Sequence, residues 1–403
     1  MSIKVLHIVG GASTNGAAKG ACILHEALIE LNINSHLLND TSIKNFNFVK
    51  NASTINETFM KNIISKFFIN LEKFLKFLFL HSPRETFTLG LFGFDITKFK
   101  EYNDADIVHI HWLNQGFVRM SSLSKIKKPV IWTMRDMWAF TGGSHYTMDF
   151  KKYEKSKLSK IIENFKKKSY KKNFHFIAIS DWLKNKGQES YVLENFNVQR
   201  IYNNIDLKNF QDISKTTAKL SLDIKTDKHI ILYGANNPQS KRKGWNIFIE
   251  ALKKIDKSKY FLLVFGNFWS QKILDEMGIE YKSLGFIKDQ KKLNLVYSCA
   301  DFFVASSIQD GWPKTFAEAM YCNTPVICFK NTSISEIVDH KINGYVVEDF
   351  DSIKLKNAIE WMSERIKNTK IEKNVTRDKI KKFGSIEIAN KYIELYKNVL
   401  SNK

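Results

Sequence analysis

The chain of 403 residues is poor in the residues that punctuate or staple a polypeptide: 5 prolines, 18 glycines and 4 cysteines. So few breakers leave little room for low-complexity linkers and exclude a collagenous chain. Cys22, Cys299, Cys322 and Cys328 show no CxxC or CxxxH spacing. That gives no zinc site and excludes a disulfide-stapled fold; free, buried thiols in a reducing, cytoplasmic compartment are expected. No run of 18 uncharged apolar residues exists, so no spanning helix is expected. The opening apolar run is too short and too alternating for a signal peptide and reads as a first strand. Acid is the scarcer charge, with Asp+Glu 41 against Lys+Arg 62 and a net charge of +21. Such an excess points to an anionic partner (nucleic acid, an acidic membrane face or phosphorylated substrates) or to solvated lysine-rich helices.

What is present is apolar material for two cores: 44% hydrophobic and 13% aromatic residues. Strand-like runs fall at 5–9 (VLHIV), 106–112 (DIVHIHW), 130–133 and 176–179, with helical periodicity at 17–31 and from Asp181. The second half repeats the alternation, with strands at 229–234, 260–265, 301–305 and 325–329 separated by helices at 245–255, 291–299 and 315–322. This order predicts an α/β chain of two Rossmann-like domains with doubly wound parallel sheets. The polar, Asn-rich stretch 202–210 is the expected linker. The expected domains are 1–205 and 206–380, and the closing segment 381–403, helical from Ser385, is expected to pack back on the first. Basicity is spread over both, at +12 for 1–205 and +9 for the rest.

Two segments stand apart. Residues 61–80 (KNIISKFFINLEKFLKFLFL) carry apolar side chains around most of a helix circumference, which suits burial in a core, the favoured reading, or insertion at a membrane interface. Residues 151–172 hold ten lysines against two glutamates, with Leu158, Ile161, Ile162 and Phe165 at helical spacing, as in a basic amphipathic helix.

The segment 306–320 (SSIQDGWPKTFAEAM) carries the most chemistry. A strand end, a small-residue loop and a helix start gather unpaired N–H groups into an anion site. Gly311 allows close backbone approach, and Pro313 suits a first helical turn. A carboxylate in the loop, Asp310, can bond sugar hydroxyls, and Glu318 on the helix can grip a ribose.

This segment resembles the paired-acid motif of retaining glycosyltransferases of family 4, with Asp310 and Glu318 at the two acid positions. The stretches 241–252, 284–307 and 317–348 match the same family, and WTMRDMWAFTGGSHY (132–146) is similar to its polysaccharide-assembly branch. The resemblance implies a GT-B fold and transfer of a sugar from a nucleotide donor, bound in a cleft, to a hydroxyl of a growing, lipid-linked glycan. It implies no cofactor and no metal, the nucleotide-sugar being a substrate. Lys243 would neutralise the donor diphosphate, with Arg242 beside it. Asp310, Gly311, Trp312, Pro313, Lys314 and Thr315 would meet the donor sugar and phosphates, and Glu318 the ribose. Gly16 would let the first helix approach the diphosphate, and Phe286 and Ile287 would lie at the base pocket.

The chain departs from the family at four places, one being Ser144 where relatives often carry a cysteine after the glycine pair. The first acid is Asp310 where glutamate is usual. Asn237 stands where many members carry arginine. Arg135 precedes Asp136 where relatives commonly have histidine; a guanidinium cannot serve as a base, but it can bind a phosphate. Asp310, Lys243 and Arg135 are the catalytic candidates. His111, Asp136 and His145 are the acceptor candidates, with helix capping the favoured role for Asp136. His109 and His111 are expected on opposite faces of their strand, with His111 nearer the ligand end. Among Trp112, Trp138 and Trp312, Trp312 is the preferred sugar-stacking ring. An anionic membrane surface is an expected partner. Nucleic acid is not, because no recognition helix or aromatic-interleaved motif is present. The competing reading is a non-catalytic nucleotide-sugar or glycan binder on a transferase scaffold.

Overall fold

The structure is a computed structural model describing residues 3–11, 16–40, 50–54, 59–80, 86–113, 116–267, 272–368 and 373–401. It divides into two compact units, one of Met1–Asn204 with Ser385–Lys403, the other of Ile205–Gly384.

The first unit is built on a seven-stranded sheet. Its strands are β1 (Lys4–Val9), β2 (Asn34–Asn39), β3 (Ala52–Thr54), β4 (Ile107–Trp112), β5 (Val130–Met134), β6 (Phe174–Ala178) and β7 (Gln199–Arg200). They run in the order β3-β2-β1-β4-β5-β6-β7, and every pairing is parallel. Helices cover both faces of such a sheet, so central strands lose their in–out alternation; β5 (VIWTM) is buried at every position. One face packs on the helix Gly16–Glu30 and the C-terminal helix Ser385–Ser401. There Val5, Ile107, Ile131 and Ile177 meet Leu24, Leu28, Tyr392 and Tyr396.

The second unit holds β8 (His229–Gly234), β9 (Tyr260–Phe265), β10 (Glu280–Ser283), β11 (Phe302–Ala305), β12 (Val326–Phe329) and β13 (Gly344–Val347). Their order is β10-β9-β8-β11-β12-β13, again all parallel. Phe248 on the helix Trp245–Leu252 stacks on Tyr233 at 4.5 Å and is fully buried. Truncating such a ring to alanine costs about 3–5 kcal/mol.

The helix Phe59–Leu80 corrects the favoured core reading of its segment. Only part of it turns inward: Glu72 accepts from the backbone N–H of Leu89 (2.9 Å) and Gly90 (3.0 Å). Phe67, Phe74 and Phe77 are 62%, 56% and 70% exposed, and Met60, Ile63, Ile64 and Leu78 join them. The four cysteines are free and buried.

Candidate active site

In the second unit, a single 3-10 turn, Lys241–Lys243, follows β8 and ends on Gly244 at φ 68°. A Cβ there would lie 1.9 Å from the carbonyl oxygen of Ser306, so only glycine lets this turn close on the end of β11. The two loops are stitched together. Ser306 Oγ donates to the Lys243 carbonyl at 2.9 Å, and the Ile308 N–H donates to the Arg242 carbonyl at 2.8 Å.

On this frame both cations converge on one acid. Lys243 Nζ pairs with Asp310 Oδ2, and Arg242 Nη1 stands 3.3 Å from the same oxygen. Burial opposes ionisation of Asp310, but the adjacent Lys243 and Arg242 charges outweigh it and hold the carboxyl below its usual range. Ser333 Oγ fixes the loop by donating to the Asp310 carbonyl at 2.9 Å. Tyr233, Gly234, Lys243, Ser306, Pro313 and Thr315 line a small pocket here, at the carboxyl ends of β8 and β11. Ligands of open α/β sheets bind at that end.

The helix Lys314–Tyr321 starts at this pocket with Pro313 as its N-cap. Glu318 is buried in it and accepts a hydrogen bond from Tyr297 Oη at 2.9 Å. Tyr297 lies on the neighbouring helix Gln290–Cys299, and nothing in the local sequence signals its tie to Glu318. Gly311 is buried, and Lys314 is half-buried. Phe286 is 38% exposed on the loop after β10, whereas Ile287 is buried. Trp312 is buried against Phe316 and Phe383, which removes it as a stacking surface for sugar.

In the first unit, Gly16 opens the helix Gly16–Glu30 with open space where a Cβ would lie. Residues 12–15 of the preceding loop lie outside the described residues. Asp136 Oδ1 accepts from the Trp138 N–H at 2.9 Å, at the first residue of the short turn Trp138–Phe140, whose N-cap position is Met137. Its Oδ2 meets His145 Nδ1 at 2.7 Å and Trp112 Nε1 at 2.9 Å. His145 Nε2 reaches Thr88 Oγ1 at 3.0 Å. Both ring nitrogens of His145 are therefore engaged inside the unit, and the residue holds its loop instead of facing outward. Buried Lys166 closes the same loop, donating to the carbonyls of Trp138 and Thr141; burial lowers its ammonium to about 7. Trp138 is buried too, which leaves half-buried Trp112 as the partly accessible indole of the three tryptophans weighed for stacking.

The expectation that His109 and His111 face opposite ways is corrected. Residues two apart on a strand share a face, and these rings stack at 4.1 Å. His7 on β1 lies beside them: its Nδ1 is 2.8 Å from His111 Nε2. His109 bonds Tyr396 Oη at 2.7 Å and Thr133 Oγ1 at 2.8 Å. Burial holds all three imidazoles well below their ordinary range. Arg135, at the carboxyl end of β5, is 8% exposed and donates to Asn203 Oδ1 at 2.8 Å and His111 Nδ1 at 3.3 Å. Burial lowers its guanidinium to about 10, which leaves it protonated at neutral pH.

Comparison with known proteins converges on one family. Residues 15–209 match Glycosyltransferase Family 4, and residues 214–378 match Glycosyl transferases group 1. A 41.2 kDa protein of the cps region of Klebsiella pneumoniae is 23% identical over 80% of this chain and 87% of its own length. Among solved structures, the sucrose-phosphate synthase of Thermosynechococcus elongatus superposes with a TM-score of 0.71 at 16% identity, covering 100% of both chains. Anabaena HepE in complex with UDP-glucose superposes with a TM-score of 0.66 at 14% identity, also covering 100% of both. Two parallel α/β sheets, the paired acids behind a cation-bearing turn, and these matches over both halves lead to one assignment: the chain belongs to the group 1 glycosyltransferases and has the GT-B fold.

Proposed function

We propose that the protein is a retaining, metal-independent hexosyltransferase. It moves a sugar from a UDP- or GDP-sugar to a hydroxyl of a growing, lipid-linked glycan in capsule, O-antigen or exopolysaccharide assembly. The observation that carries this reading is the convergence of Lys243 and Arg242 on Asp310 beside the start of the helix Lys314–Tyr321. A nucleoside diphosphate gains charge as it leaves, and a preset cation stabilises that charge most in the transition state. Lys243 and the first N–H groups of the helix would take the diphosphate, Glu318 the ribose, and Phe286 the base. The bond from the sugar to the diphosphate breaks as the acceptor oxygen bonds to the same face of the sugar, and the acceptor proton passes to the departing phosphate. No protein base is then needed, which accommodates Arg135.

The acceptor side rests on the helix Phe59–Leu80. Its exposed Phe67, Phe74 and Phe77 lie among exposed Lys66 and Lys73, a combination that suits the interface of an anionic membrane. No helix among the described residues is long and apolar enough to cross a membrane. Replacing Phe67 and Phe74 together by glutamate should lower partition onto vesicles of anionic phospholipid about a hundredfold or more, since each buried ring contributes roughly 1.5–3 kcal/mol. Unchanged partition would detach the membrane from this reading.

A donor panel tests the chemistry. UDP-sugars come first, since HepE holds UDP-glucose. A donor that raises the melting temperature and is slowly hydrolysed supports the transferase. Folded protein that binds no donor would overturn it in favour of a glycan-binding scaffold.

A further inference from the structure

The polar chain beneath Arg135 has a direction set by chemistry. A guanidinium only donates, so His111 Nδ1 must accept from Arg135 Nη2. Neutral His111 then carries its proton on Nε2 and donates to His7 Nδ1. His7 in turn carries its proton on Nε2. Among the described residues, that N–H is buried without an acceptor, and so is Arg135 Nε. Two orphaned donors thus lie on one chain that already holds a full positive charge. Among the described residues the groups whose charge acts on Arg135 are Tyr392 and Cys22, not a carboxylate, whereas buried cations are ordinarily paired. His7, His109 and His111 offer nitrogens within 4.8 Å of one another, a spacing open to a metal ion. The guanidinium against His111 makes a second cation there costly, and both nitrogens of His109 and of His111 are already bonded. What the group lacks is negative charge.

We propose that Arg135 is the receptor for an oxyanion, a phosphate or carboxylate group carried by a substrate of the transferase. His111 and His7 act as positioning residues that hold the guanidinium through neutral imidazoles. The inference rests on the transferase reading for the identity of its ligand, but not for the existence of the site. The site sits where β1, β4 and β5 approach their carboxyl ends, the binding end of an open α/β sheet. Its residues belong to the first unit, whereas Lys243 and Asp310 belong to the second. The oxyanion has two possible sources, the donor or a phosphate on the acceptor.

The test uses the full chain carrying Lys243→Ala, which removes the principal competing phosphate contact, with inorganic phosphate as the probe. Phosphate should still bind, Arg135→Gln in that background should weaken it at least tenfold, and Arg135→Lys should restore part of the loss. Phosphate should also shift the His111 ring nitrogen resonances. A structural arginine would leave them unmoved, and this readout serves even where Arg135→Gln does not fold. Phosphate binding that is absent from the Lys243→Ala protein, or that ignores Arg135→Gln, overturns the proposal. So do His111 resonances that stay fixed at saturating phosphate. Turnover with neutral against phosphorylated acceptors separates the sources. A penalty of Arg135→Gln confined to phosphorylated acceptors assigns the oxyanion to the acceptor, and an equal penalty assigns it to the donor. If no nucleotide-sugar is turned over, the transferase reading fails while the phosphate titration still decides this one.

Discussion

Each unit keeps a cation near the carboxyl ends of its strands, half-buried in the second and buried in the first, and the two are neutralised differently. In the second unit Lys243 and Arg242 share the carboxylate of Asp310. In the first, Arg135 rests on an amide oxygen and a neutral imidazole. An internal counter-ion makes a site electrically complete before ligand arrives, and on the proposed function an incoming phosphate would compete with Asp310. A site without one is held by neutral dipoles and waits for charge from outside. The same fold thus carries one self-neutralised and one open cationic site.

The comparison can be broken at several points. The largest expected effect is on turnover. Lys243→Ala should lower it by about 10²–10³-fold, the usual cost of removing one preset group from a charge-developing transition state, while the melting temperature stays near that of the wild type. Unchanged nucleoside diphosphate release would remove the lysine from the mechanism.

Acid should divide the units next. Burial holds His25 at about 4, and His7, His109 and His111 also stay well below 6.5. A depressed folded-state pKa gives stability that is complete above the unfolded value near 6.5 and is lost as pH falls toward the folded value. For His25 alone the loss between pH 6.5 and 4 is at most about 3 kcal/mol. Glu72, Glu154 and Glu163, raised by burial, work the other way and reduce the sum. Asp310, depressed by its cations, releases its share only below the ordinary aspartate range. Hydrogen exchange should therefore show β1 and β4 losing protection before β8 and β11 as pH drops from 7 to 4. Simultaneous loss would contradict the contrast.

A smaller effect compares the cations directly. Asp310→Asn leaves two cations without their acid and should cost about 1–3 kcal/mol. Arg135→Gln removes a cation that has no acid partner among the described residues and should cost less than that. Equal shifts in chemical denaturation would show that Asp310 contributes little as a counter-ion. The mildest change is Tyr297→Phe, which frees Glu318 from its 2.9 Å tie. It should raise the donor KM several-fold with kcat nearly unchanged, because a ribose grip acts alike in ground and transition states. A kcat loss without a KM change would place Glu318 nearer the chemistry.

The legible parts of the fold were the fully buried strands. VLHIV, HIILYG and YFLLVF are near-continuous apolar runs, and they form β1, β8 and β9. β2 (NSHLLN) and β10 (EYKS) escaped because short polar strands beside or at a sheet edge carry no such run. In the second unit Asp310 and Glu318 could be read together because loop and helix adjoin in sequence, whereas Lys243 stands 67 residues before Asp310 and was marked only through the family resemblance. The histidine group was not legible: His7 and His111 are 104 residues apart, and His109 and Tyr396 are 287 apart. A sequence also shows that a tryptophan is present without showing that Phe316 and Phe383 enclose it, as they do Trp312.

The helix Ser385–Ser401 carries a consequence for biosynthesis. It belongs to the first unit, where Tyr392 and Tyr396 bond Thr133 and His109. On the ribosome, the unit that begins the chain therefore cannot close its core until this last helix emerges, after the whole of the second unit has been made. The second unit can fold while the first still lacks one wall, so the order of synthesis and the order of completion are reversed.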